Sequence, residues 1–151
     1  MTLLTELKGQ DLGETRVRIE AGPVRVFATS VTDSNPAYRE PQAVVPPTFP
    51  FVLPYWGSLG QGGAGALPID RLRGPGRMIL HGEQGFTYHR HPRAGDELVG
   101  RTTVHDVYEK SSERADLHFY VTRTAWADAA SGDPVVDSDF TLVVRVAKPD
   151  G

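Results

Sequence analysis

The fold is decided by one stretch, Arg114-Ala-Asp-Leu-His-Phe-Tyr-Val-Thr-Arg-Thr-Ala-Trp-Ala127. In its centre, apolar residues at positions 117, 119 and 121 alternate with His118, Tyr120 and Thr122. A period of two is typical of an antiparallel β-strand with one face turned to a core. The stretch therefore predicts a long strand of a half-buried sheet.

Three further segments with strand-like composition surround it: Met78–His91, Glu97–Lys110 and Pro134–Val146. Each is about twice as long as a common strand of 5–6 residues. Turn-forming residues separate neighbours, in Arg93-Ala94-Gly95-Asp96 and in Ala130–Pro134. The second half of the chain is predicted to form one long antiparallel sheet.

The first half is predicted to contain a short strand and two helices. Arg16–Glu20 alternates as a strand, and Gly22-Pro23 opens a helix. Its apolar face repeats at i, i+3, i+4 and i+7, in Val24, Phe27, Ala28 and Val31. Thr32–Pro36 ends this helix, because Asn, Asp and Pro favour turns.

A second apolar run, Val45–Leu59, predicts a buried helix that starts near Pro47 and is made irregular by Pro50 and Pro54. The Gly-rich stretch Gly57–Gly74 is predicted to be a mobile connection. Helices first and strands afterwards indicate an α+β fold, with a long antiparallel sheet wrapped around a central helix.

Length and charge limit the function further. With 151 residues the chain is predicted to form a single domain, 1–151. A net charge of −3 with dispersed signs argues against a nucleic-acid partner. The absence of cysteine excludes disulfides and thiolate metal sites, and the lack of a leader or an 18-residue apolar run argues against a membrane partner. A cytoplasmic protein is expected.

Two spacings resemble known site motifs without their context, and the motif of a nucleophilic serine is missing. The glycines of Gly60–Gly65 match G-x-G-x-x-G but run into Ala-Leu-Pro instead of a helix, which favours a loop. No G-x-S-x-G elbow occurs, and Ser58, Ser111 and Ser112 lie in turn-like stretches.

His89 and His91 are two apart, so they would share one face of a strand and, with Glu97, would form a cupin-like metal site. Glu97 lies six positions after His91, and the glycine spacing before the first histidine does not match that motif. The pair is retained as an alternative function.

The most informative stretch is Phe27–Tyr38, in which a helix runs into Asp33-Ser-Asn35-Pro36-Ala-Tyr38. It resembles the hydratase signature of the MaoC-like hot-dog family, which runs from an aromatic and small residues to Asp-x-Asn-Pro-x-His. A second block, Ile79–Arg90 followed by Arg93-Ala-Gly-Asp96, is similar to the strand and turn that follow the hot-dog helix in the N-terminal (FAS1-like) dehydratase domains of that family.

The resemblance implies a hot-dog fold and a chemistry. Family members add water to a trans-2-enoyl thioester of coenzyme A or acyl carrier protein, or remove it from the (R)-3-hydroxy form. An Asp and a His bind the water and move its protons, while N–H groups at the start of the hot-dog helix hold the thioester carbonyl. No cofactor is expected, since the thioester itself acidifies the α-carbon.

Two departures from the family pattern change the expected role. Tyr38 stands where the family has His, and a phenol with a pKa of about 10 cannot act as a base in place of an imidazole near 6.5. Pro46-Pro47-Thr48-Phe49 stands where active single-domain relatives tend to carry His-Gly. Both departures resemble the non-catalytic subunit of heteromeric hydratases.

The expected function is therefore that of a subunit of an (R)-specific enoyl-thioester hydratase or 3-hydroxyacyl-thioester dehydratase. Its complete dyad would lie on a second hot-dog chain, in a homo- or hetero-oligomer joined through a continuous sheet. Asp33 and Tyr38 form the degenerate dyad, and the predicted substrate-binding residues are Asn35, Pro47, Thr48, Phe49 and His81.

Several of these residues could instead have purely structural roles. Asp33 could be a turn residue, Tyr38 could only pack in the core, and His81 could be a structural histidine. The alternative functions are a self-sufficient hydratase that uses Asp33, a non-enzymatic acyl-CoA-binding module, and the cupin-like metal protein.

Overall fold

Five strands form the framework of the protein in a computed structural model that describes residues 2–56 and 67–148. They are β1 (Asp11–Arg18), β2 (Arg77–Tyr88), β3 (Glu97–Ser111), β4 (Ala115–Asp128) and β5 (Pro134–Ala147). The helices are α1 (Ala21–Ser30), α2 (Leu53–Trp56) and α3 (Ile69–Leu72), with 3₁₀ turns at Thr5–Leu7, Pro36–Arg39 and Phe49–Val52.

The strands form one antiparallel sheet in the order β1-β3-β4-β5-β2. The stretch that predicted the fold is thus the central strand β4. The four predicted long strands are confirmed with ends that differ by at most three residues, because the alternation and turn residues that define them are local. At two of the connecting turns Gly95 and Gly132 take φ values of 102° and 78°, which suit glycine.

The first strand is longer than predicted. Arg16–Glu20 was expected, whereas β1 begins at Asp11 and ends at Arg18. Its first half has no apolar alternation, and its extended form comes from pairing with β3, in a register from Asp11 opposite Thr103 to Arg18 opposite Glu97. Glu20 instead occupies the N-cap of α1.

Helix α1 is confirmed, and its predicted apolar face needs one correction. Val24 and Ala28 are buried and Phe27 is partly buried. Val31 is exposed, because the helix ends at Ser30 and the residue after it leaves the helical repeat.

The predicted central helix starts later than expected. A 3₁₀ turn at Phe49–Val52 runs into α2, Leu53–Trp56. Pro50 and Pro54 lack the N–H groups that a regular α-helix needs, which explains the tight, irregular start. Leu59 lies outside the described residues.

The Gly57–Gly74 connection is only partly a loop. Its last part contains α3, Ile69–Leu72, whose Leu72 is fully buried. Residues 57–66, which include the Gly60–Gly65 spacing and Ser58, lie outside the described residues. The prediction of mobility is therefore untested there, and it missed a helical turn in the rest.

Two apolar clusters fill the inner face of the sheet. One joins α1, α2 and the Phe49–Val52 turn to Leu98, Trp126, Val135 and Val136. The other lies toward the opposite end of the sheet, around Leu7, Leu72, Tyr120 and Val144. On β4 the fully buried row is that of His118 and Tyr120, while Leu117, Phe119 and Val121 are half-buried on the outer face.

The turn before β3 fixes the end of the sheet near the first cluster. The Arg90 guanidinium contacts Asp96 at 2.6 Å and Asp128 at 3.2 Å, and the carboxylate of Asp96 also accepts the Arg93 N–H at 2.9 Å.

Within residues 2–56 and 67–148, no helix is both long and apolar enough to cross a bilayer.

Candidate functional site

The end of α1 places Asp33 beside the helix. The Asp33 N–H donates to the Ala28 carbonyl at 2.8 Å, and the Thr32 N–H donates to the Thr29 carbonyl at 3.0 Å. Thr32 has a φ of 58°, the left-handed conformation that closes helix ends and is normally taken by Gly or Asn. A β-branched residue there is strained by about 1–3 kcal/mol, and strain of this kind clusters at functional sites.

Two side chains shape the turn after Asp33. Oδ1 of Asp33 accepts the Asn35 N–H at 3.0 Å, and Oδ1 of Asn35 accepts the Ala37 N–H at 3.0 Å, which caps the Pro36–Arg39 turn. Asp33 thus has a structural task, as the turn interpretation of this residue requires. The same contacts hold its carboxylate in a defined orientation.

Tyr38 is buried beside this carboxylate. Tyr38 is 8% exposed, and the Asp33 carboxylate lies near enough for its charge to act on the phenol. Burial, and next the negative charge of Asp33, raise the pKa of Tyr38 above its ordinary value. The phenol therefore stays protonated at neutral pH. The pair can hold a polar group in place. It lacks the imidazole of the family signature, so the Asp33 carboxylate is the one basic group that the pair offers.

A cavity of about 230 Å³ adjoins the pair. It lies between the outer face of α1 and the following turn and is lined by Arg25, Ala28, Thr29, Asp33, Asn35, Tyr38 and Arg39. None of these residues is a histidine. Arg25 and Arg39 make no ion pair within the described part of the chain, so the lining carries two uncompensated guanidinium groups and one carboxylate.

The predicted carbonyl-binding end lies at a β-turn formed by Pro46, Pro47, Thr48 and Phe49. The Phe49 N–H donates to the Pro46 carbonyl at 2.9 Å, and Thr48 has φ −105° and ψ 0°, as at the third position of a type I turn. Pro47 has no N–H, and the Phe49 N–H is already used. Among the described residues of this turn, only the Thr48 N–H remains available to a ligand.

Phe49 and His81, two of the predicted substrate-binding residues, make aromatic contacts with their neighbours. Phe49 is 1% exposed and packs edge-on against Phe27, with ring centroids 5.4 Å apart, so it belongs to the core. His81 is on β2, where its ring stacks on Phe51 at 5.6 Å and meets the edge of Phe140 at 4.7 Å. His81 thus joins the strand β2 to the Phe49–Val52 turn.

The structure brings the predicted residues into two groups. Asp33, Asn35 and Tyr38 surround the cavity. Pro47 and Thr48 lie at the turn whose next residue, Phe49, shares a core cluster with Tyr38. Sequence reasoning missed the cavity arginines, Arg25 and Arg39, and Tyr88, whose hydroxyl donates to the Pro47 carbonyl. Nothing in the sequence pattern signals a contact between residues 47 and 88.

The cupin-like alternative loses its geometric basis. β2 ends at Tyr88, so His89 and His91 follow the strand instead of sharing one of its faces. His89 Nε2 lies 3.1 Å from Asp137 Oδ2, and the His91 ring lies 5.7 Å from that of Tyr88. Across the described ranges no group of three or more metal-ligating side chains occurs.

The chain is similar to a family of known proteins over most of its length. Residues 6–138 match the family described as the FAS1-like dehydratase domain region. The chain belongs to this family. It is also 36% identical over 148 residues to a UPF0336 protein of Thermobifida fusca, a match that covers 91% of this chain and 86% of the relative.

Solved structures place the FAS1-like dehydratase region among the MaoC-like hot-dog folds. The HadBC (3R-hydroxyacyl-ACP dehydratase) complex of Mycobacterium tuberculosis matches with a TM-score of 0.68 and 25% identity, over 93% of this chain and 99% of that one. The ChsH1-ChsH2 complex of the same organism matches with a TM-score of 0.64 and 19% identity, over 93% and 87%. The predicted family and hot-dog fold are thereby confirmed.

Proposed function

We propose that this chain is the acyl-binding subunit of an (R)-specific enoyl-thioester hydratase or 3-hydroxyacyl-thioester dehydratase, and that a partner hot-dog subunit supplies the complete Asp/His dyad. The observation that carries the proposal is the buried Tyr38 phenol, which lies near Asp33 where the family signature has an imidazole. Hydration needs a group that takes a proton from water as its oxygen attacks C3. A phenol with a raised pKa cannot do so at neutral pH.

The remaining features suit binding of the thioester. Negative charge develops on the thioester carbonyl oxygen during addition, and the Thr48 N–H is a fixed donor that can stabilise it. Arg25 and Arg39 give the cavity beside Asp33 a net positive charge, because its lining holds two guanidinium groups and one carboxylate. Such a potential attracts the phosphate-bearing carriers of acyl thioesters.

Strand β2 is the edge best suited to pairing with a second hot-dog subunit. The other edge, β1, carries Asp11 and Glu14, both paired with Arg101 on β3, and a charged edge resists further strand pairing. β2 instead exposes Met78 and Leu80, which are 54% and 41% accessible. We therefore propose that the chain pairs along β2, both with a second copy of itself and with the subunit that carries the dyad.

Leu80→Lys tests this contact. A lysine on an edge strand opposes strand pairing, so the wild-type chain is expected to sediment as a dimer and the variant as a monomer at micromolar concentration. Val26→Lys is the matched control, since Val26 is 70% exposed on α1, and this variant is expected to stay dimeric. A monomeric wild-type chain, or a dimeric Leu80→Lys variant, contradicts pairing between copies through β2.

Ligand binding by the isolated chain tests the acyl-binding role itself. Titration calorimetry with crotonyl-CoA is expected to show saturable binding, and Arg25→Gln with Arg39→Gln is expected to weaken it about tenfold, in line with the loss of charge-assisted contacts. Arg16→Gln, a change at an exposed arginine of β1, serves as the control. A wild-type chain that binds no acyl thioester contradicts the proposal.

A further inference from the structure

Tyr88 connects β2 to the turn that begins the central helix. Its hydroxyl donates to the Pro47 carbonyl at 2.6 Å, and its ring packs against the core cluster that contains Phe49. Burial raises the pKa of Tyr88 to about 12. The phenol is therefore protonated throughout the physiological range, and it is a permanent donor to this carbonyl.

The bonded carbonyl determines where the next N–H points. The Pro47 carbonyl and the Thr48 N–H belong to one planar trans peptide unit, so the two bonds point in opposite directions. A donor that holds the oxygen on one side therefore holds the N–H toward the other side. A hydrogen bond to the carbonyl also polarises the peptide and makes its N–H a stronger donor.

Other contacts fix both ends of the turn, so the free rotation that remains is that of the Pro47–Thr48 peptide plane. The pyrrolidine ring fixes φ of Pro47 near −65°, and the buried Phe49 ring anchors the end of the turn. The central peptide of a β-turn is not part of the turn's own hydrogen bond, which here runs from the Phe49 N–H to the Pro46 carbonyl. Its orientation therefore depends on outside contacts, and Tyr88 provides one.

We propose that Tyr88 is a positioning residue, which holds the Pro47–Thr48 peptide so that the Thr48 N–H is presented to the carbonyl oxygen of a bound acyl thioester. This inference rests on the proposed function for the identity of the ligand. The orientation of the peptide by Tyr88 does not depend on it. Tyr88 itself need not touch the ligand.

Tyr88→Phe is the test, because it removes the hydroxyl and keeps the ring in the core. In NMR spectra of isotopically labelled protein, we expect the Pro47 carbonyl-carbon and Thr48 amide-nitrogen resonances to move, while those of the opposite cluster around Tyr120 stay in place. Tyr108→Phe is the matched control: Tyr108 stacks on Phe119 at the outer face, 4.6 Å between centroids, and its loss of a hydroxyl should leave both resonances unchanged.

The second readout is the bound thioester. With crotonyl-CoA, Tyr88→Phe is expected to lower affinity by about three- to tenfold, the range of one hydrogen bond, and to reduce the infrared shift of the thioester carbonyl that occurs on binding. A purely structural role for Tyr88 would lower stability without changing that carbonyl frequency.

The NMR resonances and the binding of crotonyl-CoA distinguish failure of the Tyr88 proposal from failure of the proposed function. If wild-type protein binds no acyl thioester, the proposed function is wrong, and the NMR comparison alone decides whether Tyr88 orients the peptide. Unchanged Pro47 and Thr48 resonances in Tyr88→Phe overturn the positioning role. Changed resonances with an unaltered affinity and carbonyl frequency overturn the presentation of Thr48 to the ligand.

Discussion

Tyr38→His is expected to give the isolated chain a measurable hydratase activity, with a rate about 10²- to 10⁴-fold above that of the wild-type chain, the usual contribution of a positioned general base. The Tyr38 phenol lies near the Asp33 carboxylate, so an imidazole at the same position would have that carboxylate to orient it. Imidazole titrates near neutral pH, whereas the Tyr38 phenol has its pKa raised by burial. Loss of the enoyl absorbance of crotonyl-CoA provides the assay.

Two control variants isolate the role of the imidazole. Tyr38→Phe should remain as inactive as wild type, and adding Asp33→Asn to Tyr38→His should remove most of the gained rate, since the imidazole loses its partner. A folded Tyr38→His protein that is no faster than Tyr38→Phe would contradict the claim that the missing base is what prevents turnover.

Trp126→Ala is expected to lower the free energy of unfolding by about 3–5 kcal/mol, as other truncations of buried aromatic side chains do. Trp126 is 1% exposed and lies in the cluster that joins the sheet to α1 and α2. Its ring lies flat against Gly100 on β3, where an added Cβ would come within 2.6 Å of the indole. Its indole N–H has no hydrogen-bond partner in the described part of the chain, so packing accounts for its contribution.

A double-mutant cycle tests this contact directly. Gly100→Ala should destabilise the wild-type protein by about 1–3 kcal/mol through overpacking, and should be neutral or stabilising once Trp126 is Ala, because glycine is a poor strand residue. Denaturant unfolding measures all four proteins. Equal effects of Gly100→Ala in both backgrounds would contradict the close contact.

The long strands were predictable because their signals are local. Alternation in β4 and glycines at Gly95 and Gly132 are visible in short windows of sequence. The start of β1 was not predictable, since Asp11–Glu14 becomes a strand only by pairing with β3, about 90 residues later. The start of the proline-rich helix was predicted too early, because tolerance of Pro50 and Pro54 depends on how the chain packs.

The same distinction applies to the site. Asp33, Asn35 and Tyr38 lie within six residues, so their proximity could be expected from the turn between them. The contact of Tyr88 with Pro47 spans 41 residues and depends on where β2 lies relative to the central helix. The burial of Phe49 and the stacking of His81 on Phe51 likewise follow from tertiary packing.

The most direct test of the account is the turnover of crotonyl-CoA by the homogeneous wild-type chain, measured alone and after addition of a hot-dog protein that carries an intact Asp-x-Asn-x-x-His sequence. We predict no rate above the uncatalysed background for the chain alone, and turnover by the mixture that exceeds the rate of the added protein by itself. Turnover by the isolated chain at about 1–10³ s⁻¹, as for ordinary enzymes, would contradict the account.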